Sequence, residues 1–266
     1  MDAEKYQYIT TESRGTQGEI LVVRLNRPEV LNAFNTGMAT ELEALFRRYS
    51  TTGHLRVVIL TGEGNRAFCT GADLKERQGM GDADWRVQHQ LFERMFLEIK
   101  NFPQPVIAAV EGYALAGGLE LALMADFIVA SESARFGLTE IRRGILPGGG
   151  GLQNLPRAIG SRRAKELIYT GRIIDAQEAL QWGMVNRVVP AGQALACALD
   201  LAAEIVESAP IPVRLAKVAI DRGTGVDFDT GYRLDLALYE LTIGTEDRRE
   251  GVAAFNEKRK PQWHNR

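Results

Sequence analysis

Four short apolar runs in the first half of the chain demand a sheet that is covered on both faces. ILVVRL (Ile20–Leu25), VVIL (Val57–Leu60), VIAAV (Val106–Val110) and FIVA (Phe127–Ala130) are too short for stable helices and are largely β-branched. Between the first two, Met38, Leu42, Leu45, Phe46 and Tyr49 recur at helical spacing, with Asn35 or Thr36 as the N-cap. Trp85–Lys100 repeats the amphipathic pattern and stops before NFPQP, where the prolines disfavour helix. Strands alternating with helices predict an α/β core. After VNRVV (Val185–Val189) the pattern changes. Ala191–Ser208, Val213–Arg222, Gly231–Ile243 and Glu246–Arg259 all read as helices, with no further strand. The expected division is a core over residues 1–195 and a helical C-terminal region over residues 196–266. Leu195, Leu199, Leu201 and Ile205 present more apolar surface than a small core needs, which predicts self-association through that region. No internal repeat is visible at the level of residues.

One stretch, GYALAGGLELALMADF (Gly112–Phe127), combines two costs. Gly117 and Gly118 each lose more backbone entropy on folding than alanine would, and Glu120 puts a carboxylate inside an apolar helical run. The glycines stand at a helix start, where N–H groups are unpaired and the dipole favours negative charge. Glu120 alone reads more readily as a structural acid in a first helical turn than as a catalytic one. Two further stretches, FCTGADLKE (Phe68–Glu76) and RFGLTEIRRGILPGGGG (Arg135–Gly151), also set glycine and apolar residues beside an acid. Taken singly, Glu140 reads as a loop or capping acid, and Ala72 carries no signal.

Other motifs fail on context. GEGNRA (Gly62–Ala67) follows a strand and matches G-x-G-x-x-A, but GADL interrupts the helix that should follow, so it reads as a turn. LPGGGG (Leu146–Gly151) lacks the Lys-Ser/Thr of a phosphate loop and reads as a backbone-rich wall beside a ligand. His54, His89 and His264 have no metal-ligand spacing, and His89 reads as a surface residue. No metal, flavin or nicotinamide is expected. With 266 residues and net charge -2, the chain has no global attraction to nucleic acid or anionic membrane. No run approaches the roughly 20 apolar residues that span a bilayer. Cys69 and Cys197 cannot form a disulfide framework, and Met1–Glu19 reads as neither signal nor transit peptide. A cytoplasmic protein is expected.

Taken together, NRPEVLNAF (Asn26–Phe34), FCTGADLKE, GYALAGGLELALMADF, FGLTEIRRGILPGGGG and TEDRREGVAAFNEKRK (Thr245–Lys260) resemble the enoyl-CoA hydratase/isomerase (crotonase) family over nearly the whole chain. The resemblance implies an α/β spiral of ββα turns with a helical C-terminal region, assembled as trimers or hexamers. It implies that the N–H groups of Ala72 and Gly117 form an oxyanion hole for a thioester carbonyl, and that Glu120 and Glu140 are paired catalytic carboxylates. Coenzyme A, present only as part of the substrate, would contact Ala72, Asp73, Leu74, Lys75 and Gly117. Phe255 and Lys258 of the last helix would also approach it, from this chain or a neighbouring subunit. Both acids together favour hydration of a 2-enoyl-CoA. GLTEI with LPGGGG is similar to 3-methylglutaconyl-CoA hydratases, and WGMVNRVV with EKRKPQW to carnitinyl-CoA dehydratases. Ala116 and Thr139 depart from the glycine and proline of many relatives. A one-acid isomerase is a further alternative. An RNA-binding relative is disfavoured, because Asp84, Glu93 and Glu98 break any basic stripe on the helix ending at Lys100.

Overall fold

The computed structural model describes residues 6–266; residues 1–5 of the polar N-terminal segment lie outside the described residues. The chain opens with β1 (Ile9–Arg14), antiparallel to β2 (Ile20–Leu25), and continues into α1 (Thr36–Tyr49). Asn35 is the N-cap of α1: its side-chain oxygen accepts the Met38 N–H at 2.9 Å. A buried strand, a short second strand and a helix then recur. β3 (Val57–Gly62) leads into β4 (Ala67–Cys69), the short α2 (Leu74–Arg77) and α3 (Asp82–Lys100). β5 (Val106–Val110) leads into β6 (Tyr113–Leu115) and α4 (Gly117–Leu123). β7 (Phe127–Ser131) leads into β8 (Arg135–Gly137), α5 (Gly151–Ile159) and α6 (Ser161–Thr170). Next come β9 (Ile174–Asp175), α7 (Ala176–Gln181), β10 (Arg187–Val189) and α8 (Ala194–Val206). The chain finishes with α9 (Pro210–Gly223), α10 (Phe228–Ile243) and α11 (Glu246–Glu257).

Each central turn gives one strand to each of two sheets. The larger has the order β1-β2-β3-β5-β7-β10 and is parallel from β2 onward; the smaller has the order β4-β6-β8-β9. This is the ββα spiral that the family resemblance implies. Alternation along the buried strands divides the core in two. Leu21, Val23, Val58, Leu60 and Ala108 face α1, α3 and the second sheet, whereas Val22, Val57, Ile59, Ile107 and Ala109 face α8. Burying both faces explains why these runs have no polar phase.

The sequence-based division at residue 195 cuts through α8. Ala194, Ala198 and Ala202 are fully buried on the sheet, and Leu195, Leu199, Leu201 and Ile205 pack against the same cluster. Small residues let the helix approach the strands, so α8 belongs to the core and the helical extension begins at α9. The surplus apolar surface is elsewhere. α10 buries none of its own residues, while Phe228, Tyr232, Leu236 and Tyr239 are exposed along it.

Candidate active site

Three successive turns converge on one cavity of about 540 Å3. The loop after β4 brings Ala72, the start of α4 brings Gly117 and Glu120, and the segment after β8 brings Glu140, Gly148 and Gly149. The first two meet through glycine. A Cβ on Gly71, whose φ is +94°, would lie 2.9 Å from the Gly117 nitrogen, and one on Gly117 would lie 2.8 Å from the Phe34 ring. Phe34 N–H donates to the Gly71 carbonyl at 2.9 Å and Asp73 N–H donates to the Phe34 carbonyl at 2.8 Å. The intervening Ala72 N–H is left free, as alternation along an extended strand requires. Gly117 is the first residue of α4, where no intrahelical acceptor exists. Among the described residues neither N–H has an acceptor, and both residues line the cavity.

Gly118 serves packing. A side chain there would collide with the Cys69 carbonyl, so α4 lies on β4 only because this residue has no Cβ. Ala116, just before the helix, has φ 51° and ψ -130°, a backbone conformation suited to glycine. Its N–H donates to the Gly137 carbonyl at 2.8 Å and its carbonyl accepts from Glu120 N–H at 3.1 Å, which fixes the helix start to β8.

The two acids are held differently. Glu120 is 3% exposed, and its Oε1 accepts the Gly149 and Gly151 N–H groups, each at 2.8 Å. Burial raises its proton affinity, and the N–H groups of Gly151, Gly149 and Gly148 oppose that rise. Glu140 is 6% exposed, and neither of its carboxylate oxygens has a hydrogen-bond partner among the described residues. Burial, reinforced by the charge of Glu120, pushes Glu140 up to about 7. One acid is therefore equipped to carry charge and the other to hold a proton at neutral pH. LPGGGG walls the cavity, as its composition suggests, and is also the anchor of Glu120, a link that no local spacing encodes.

The remaining site residues divide into three groups. Asp73 spends its carboxylate on structure, pairing with Arg27 at 2.9 Å and accepting the Lys75 N–H at 3.0 Å at the start of α2. Leu74 and Lys75 line the cavity and are exposed. Phe255, 82% exposed, and Lys258, at the end of α11, do not line the cavity of the single chain. His89 corrects the surface reading: it is half-buried, lines the cavity and lies against Gly148. The sequence reading missed Arg77, Phe92 and Phe96, which also line the cavity; the i, i+4 spacing of the two phenylalanines was the one available signal. Among the described residues, no group of three or more His, Cys, Asp or Glu side chains could hold a metal ion, and no helix is long and apolar enough to cross a membrane.

Comparison with known proteins identifies the family. An enoyl-CoA hydratase from Bacillus anthracis, solved by crystallography, superimposes with a TM-score of 0.95 at 45% identity, covering 98% of this chain and 100% of that one. Short-chain-enoyl-CoA hydratase of Clostridium acetobutylicum is 40% identical over 244 residues, covering 92% of this chain and 94% of its own. Human mitochondrial methylglutaconyl-CoA hydratase is 40% identical over 266 residues, covering 98% of this chain and 77% of its own. A family model described as enoyl-CoA hydratase/isomerase matches residues 15–266. The chain therefore belongs to the enoyl-CoA hydratase/isomerase (crotonase) family.

Proposed function

We propose that this enzyme adds water reversibly across the C2=C3 bond of a 2-enoyl-CoA, with Glu120 as general base and Glu140 as general acid. The observation that carries the assignment is the unequal provision of hydrogen bonds: two N–H donors at Glu120 and none at Glu140. The thioester carbonyl accepts from the Ala72 and Gly117 N–H groups. Negative charge that develops on this oxygen is stabilised by donors already in place, each worth roughly 3 kcal/mol. Glu120 takes a proton from water as its oxygen bonds to C3, the π pair moves to C2, and Glu140 protonates C2. The product is a 3-hydroxyacyl-CoA, and proton exchange with solvent resets the pair. Dehydration is the same path reversed.

Exposed Lys75 and Arg66 at the cavity suit the phosphates of coenzyme A. Phe255 and Lys258 would reach it from a neighbouring subunit of a homotrimer or hexamer, for which the exposed apolar face of α10 is suited. Turnover needs no metal, flavin or nicotinamide, because two carboxylates and two N–H donors account for every proton and charge in the reaction. Cys69 and Cys197 are both free, which suits a reducing cytoplasm.

The test is to mix the protein with crotonyl-CoA and follow loss of the conjugated enoyl absorbance. Hydration removes it. If no 2-enoyl-CoA loses absorbance, while a 3-enoyl-CoA gains it, the protein is a double-bond isomerase and the proposal fails.

A further inference from the structure

Arg77, at the end of α2, is a buried cation with no ion-pair partner among the described residues. It is 8% exposed and lines the cavity. Its guanidinium carbon lies 4.1 Å from the Trp85 ring centroid and 5.1 Å from that of Phe92, so the plane is clamped by α3. Its one hydrogen bond runs from Nε to Gln88 Oε1 at 2.7 Å. Gln88 in turn donates to Thr36 Oγ1 and Glu76 Oε2, each at 2.8 Å. The Glu76 carboxylate, whose charge favours the Arg77 cation, accepts from Gln88 and the Thr36 N–H and makes no hydrogen bond to Arg77. The two terminal nitrogens of Arg77 thus have no acceptor in the described chain. A planar guanidinium fixed through Nε in the cavity wall is arranged to receive a carboxylate in bidentate fashion.

The other cations lining this cavity, Arg66, Lys75 and Arg143, are exposed. Arg66 and Lys75 suit phosphate, whereas the charge of Arg143 bears on Glu140. Arg77 instead lies against the Trp85 and Phe92 rings. The Phe92 ring packs on Phe34 at a centroid distance of 4.9 Å, and Phe34 abuts Gly117, whose N–H donates to the thioester oxygen in the proposed reaction. An acyl chain running from that oxygen along the Phe34–Phe92 wall would be directed toward Arg77.

We propose that Arg77 is a specificity residue that binds a carboxylate at the far end of the acyl chain, making a dicarboxylic 2-enoyl-CoA the preferred substrate. The inference rests on the hydratase reading for the identity of the double bond, but the carboxylate contact can be measured without turnover. The kinetic arm compares kcat/KM for glutaconyl-CoA, which carries a terminal carboxylate, with that for crotonyl-CoA, which does not. The binding arm compares the saturated analogues glutaryl-CoA and butyryl-CoA by calorimetry.

Wild type should favour the dicarboxylic member in both arms. Arg77→Met should lower each preference by about 30-fold or more, the change expected when one partner of a buried charge pair is removed. Arg77→Lys, which keeps the charge but loses the fork, should fall between. Equal loss of both substrates, or an unchanged ratio, would assign Arg77 to packing or to coenzyme A and overturn the proposal. If Arg77→Met does not fold, wild type and Arg77→Lys decide: a wild type that binds glutaryl-CoA no more tightly than butyryl-CoA overturns it. If no enoyl-CoA is turned over, yet glutaryl-CoA is preferred by wild type and less so by Arg77→Lys, the hydratase reading falls and this one stands.

Discussion

Glu120 and Glu140 line one cavity, yet only Glu120 receives hydrogen bonds. Its Oε1 accepts from Gly149 and Gly151 at 2.8 Å, while both oxygens of Glu140 are buried without a partner. The two replacements should therefore both remove proton transfer without emptying the coenzyme A site. Glu120→Gln and Glu140→Gln should each lower kcat by about 100- to 10,000-fold with little change in KM. The double variant should lose less than the product of the two, because the residues act on one water and one double bond. Near-normal hydration by Glu140→Gln would remove the acid role from that residue.

The same asymmetry gives a pH signature in stability. Folded Glu140 keeps its proton up to about 7, against an ordinary value of 4.5. Between those values the folded chain holds a proton that the unfolded chain has released. The contribution is therefore complete below 4.5 and is lost as pH rises through about 7. Glutamine is neutral throughout. Glu140→Gln should be more stable than wild type above about pH 7, by up to ~3 kcal/mol, with the gap narrowing toward pH 4.5. Urea unfolding at both ends of this window measures it; a pH-independent gap would contradict the buried, unpaired state of Glu140.

Gly118→Ala should damage folding and catalysis together. The new methyl has no room against the Cys69 carbonyl, so α4 must lift from β4 and carry the Gly117 N–H with it. Overpacking against backbone costs about 1–3 kcal/mol. Thermal melts and steady-state kinetics should fall in step. An alanine variant with wild-type melting and kcat would mean that the contact between α4 and β4 is slack.

Ala116→Gly should do the reverse to stability. At φ 51° and ψ -130°, alanine bears strain that glycine does not, on the order of 1 kcal/mol. Relief should raise Tm by roughly 2–4 °C. A lower Tm would show that the Ala116 methyl, which stands beside Gly71, contributes more by packing than it costs in backbone conformation.

The parts legible in the sequence were those with a local period. β2, β3, β5 and β7 are continuous apolar runs, and α1 carries both its stripe and its Asn35 cap. β1 escaped notice because an edge strand buries only Ile9 and reads as polar. β4, β6, β8 and β9 are two or three residues long, too short to show alternation, so the repeated turn was invisible without coordinates. The apolar residues of α8 were assigned to an interface, although alanine at every fourth position was a sign of close packing on a sheet. At the site, residue chemistry left Glu120, Glu140 and Ala72 open, and only the family resemblance joined them. Arg77 and the glycine cradle of Glu120 depend on contacts between distant segments, for which a single sequence holds no periodic trace.

Because Ala72, Gly117 with Glu120, and Glu140 come from three consecutive turns, two critical distances are set independently. The gap between the two N–H donors spans the first and second turns, whereas the gap between the two acids spans the second and third. α4 is common to both and acts as the datum from which each is measured. In the proposed reaction, a displacement of α4 would spoil polarisation and proton transfer at once. A displacement of either outer layer spoils only one. The outer layers, including the α2–α3 segment that carries Arg77, are thus where the acyl pocket can be reshaped while the alignment of donors and acids on α4 is retained.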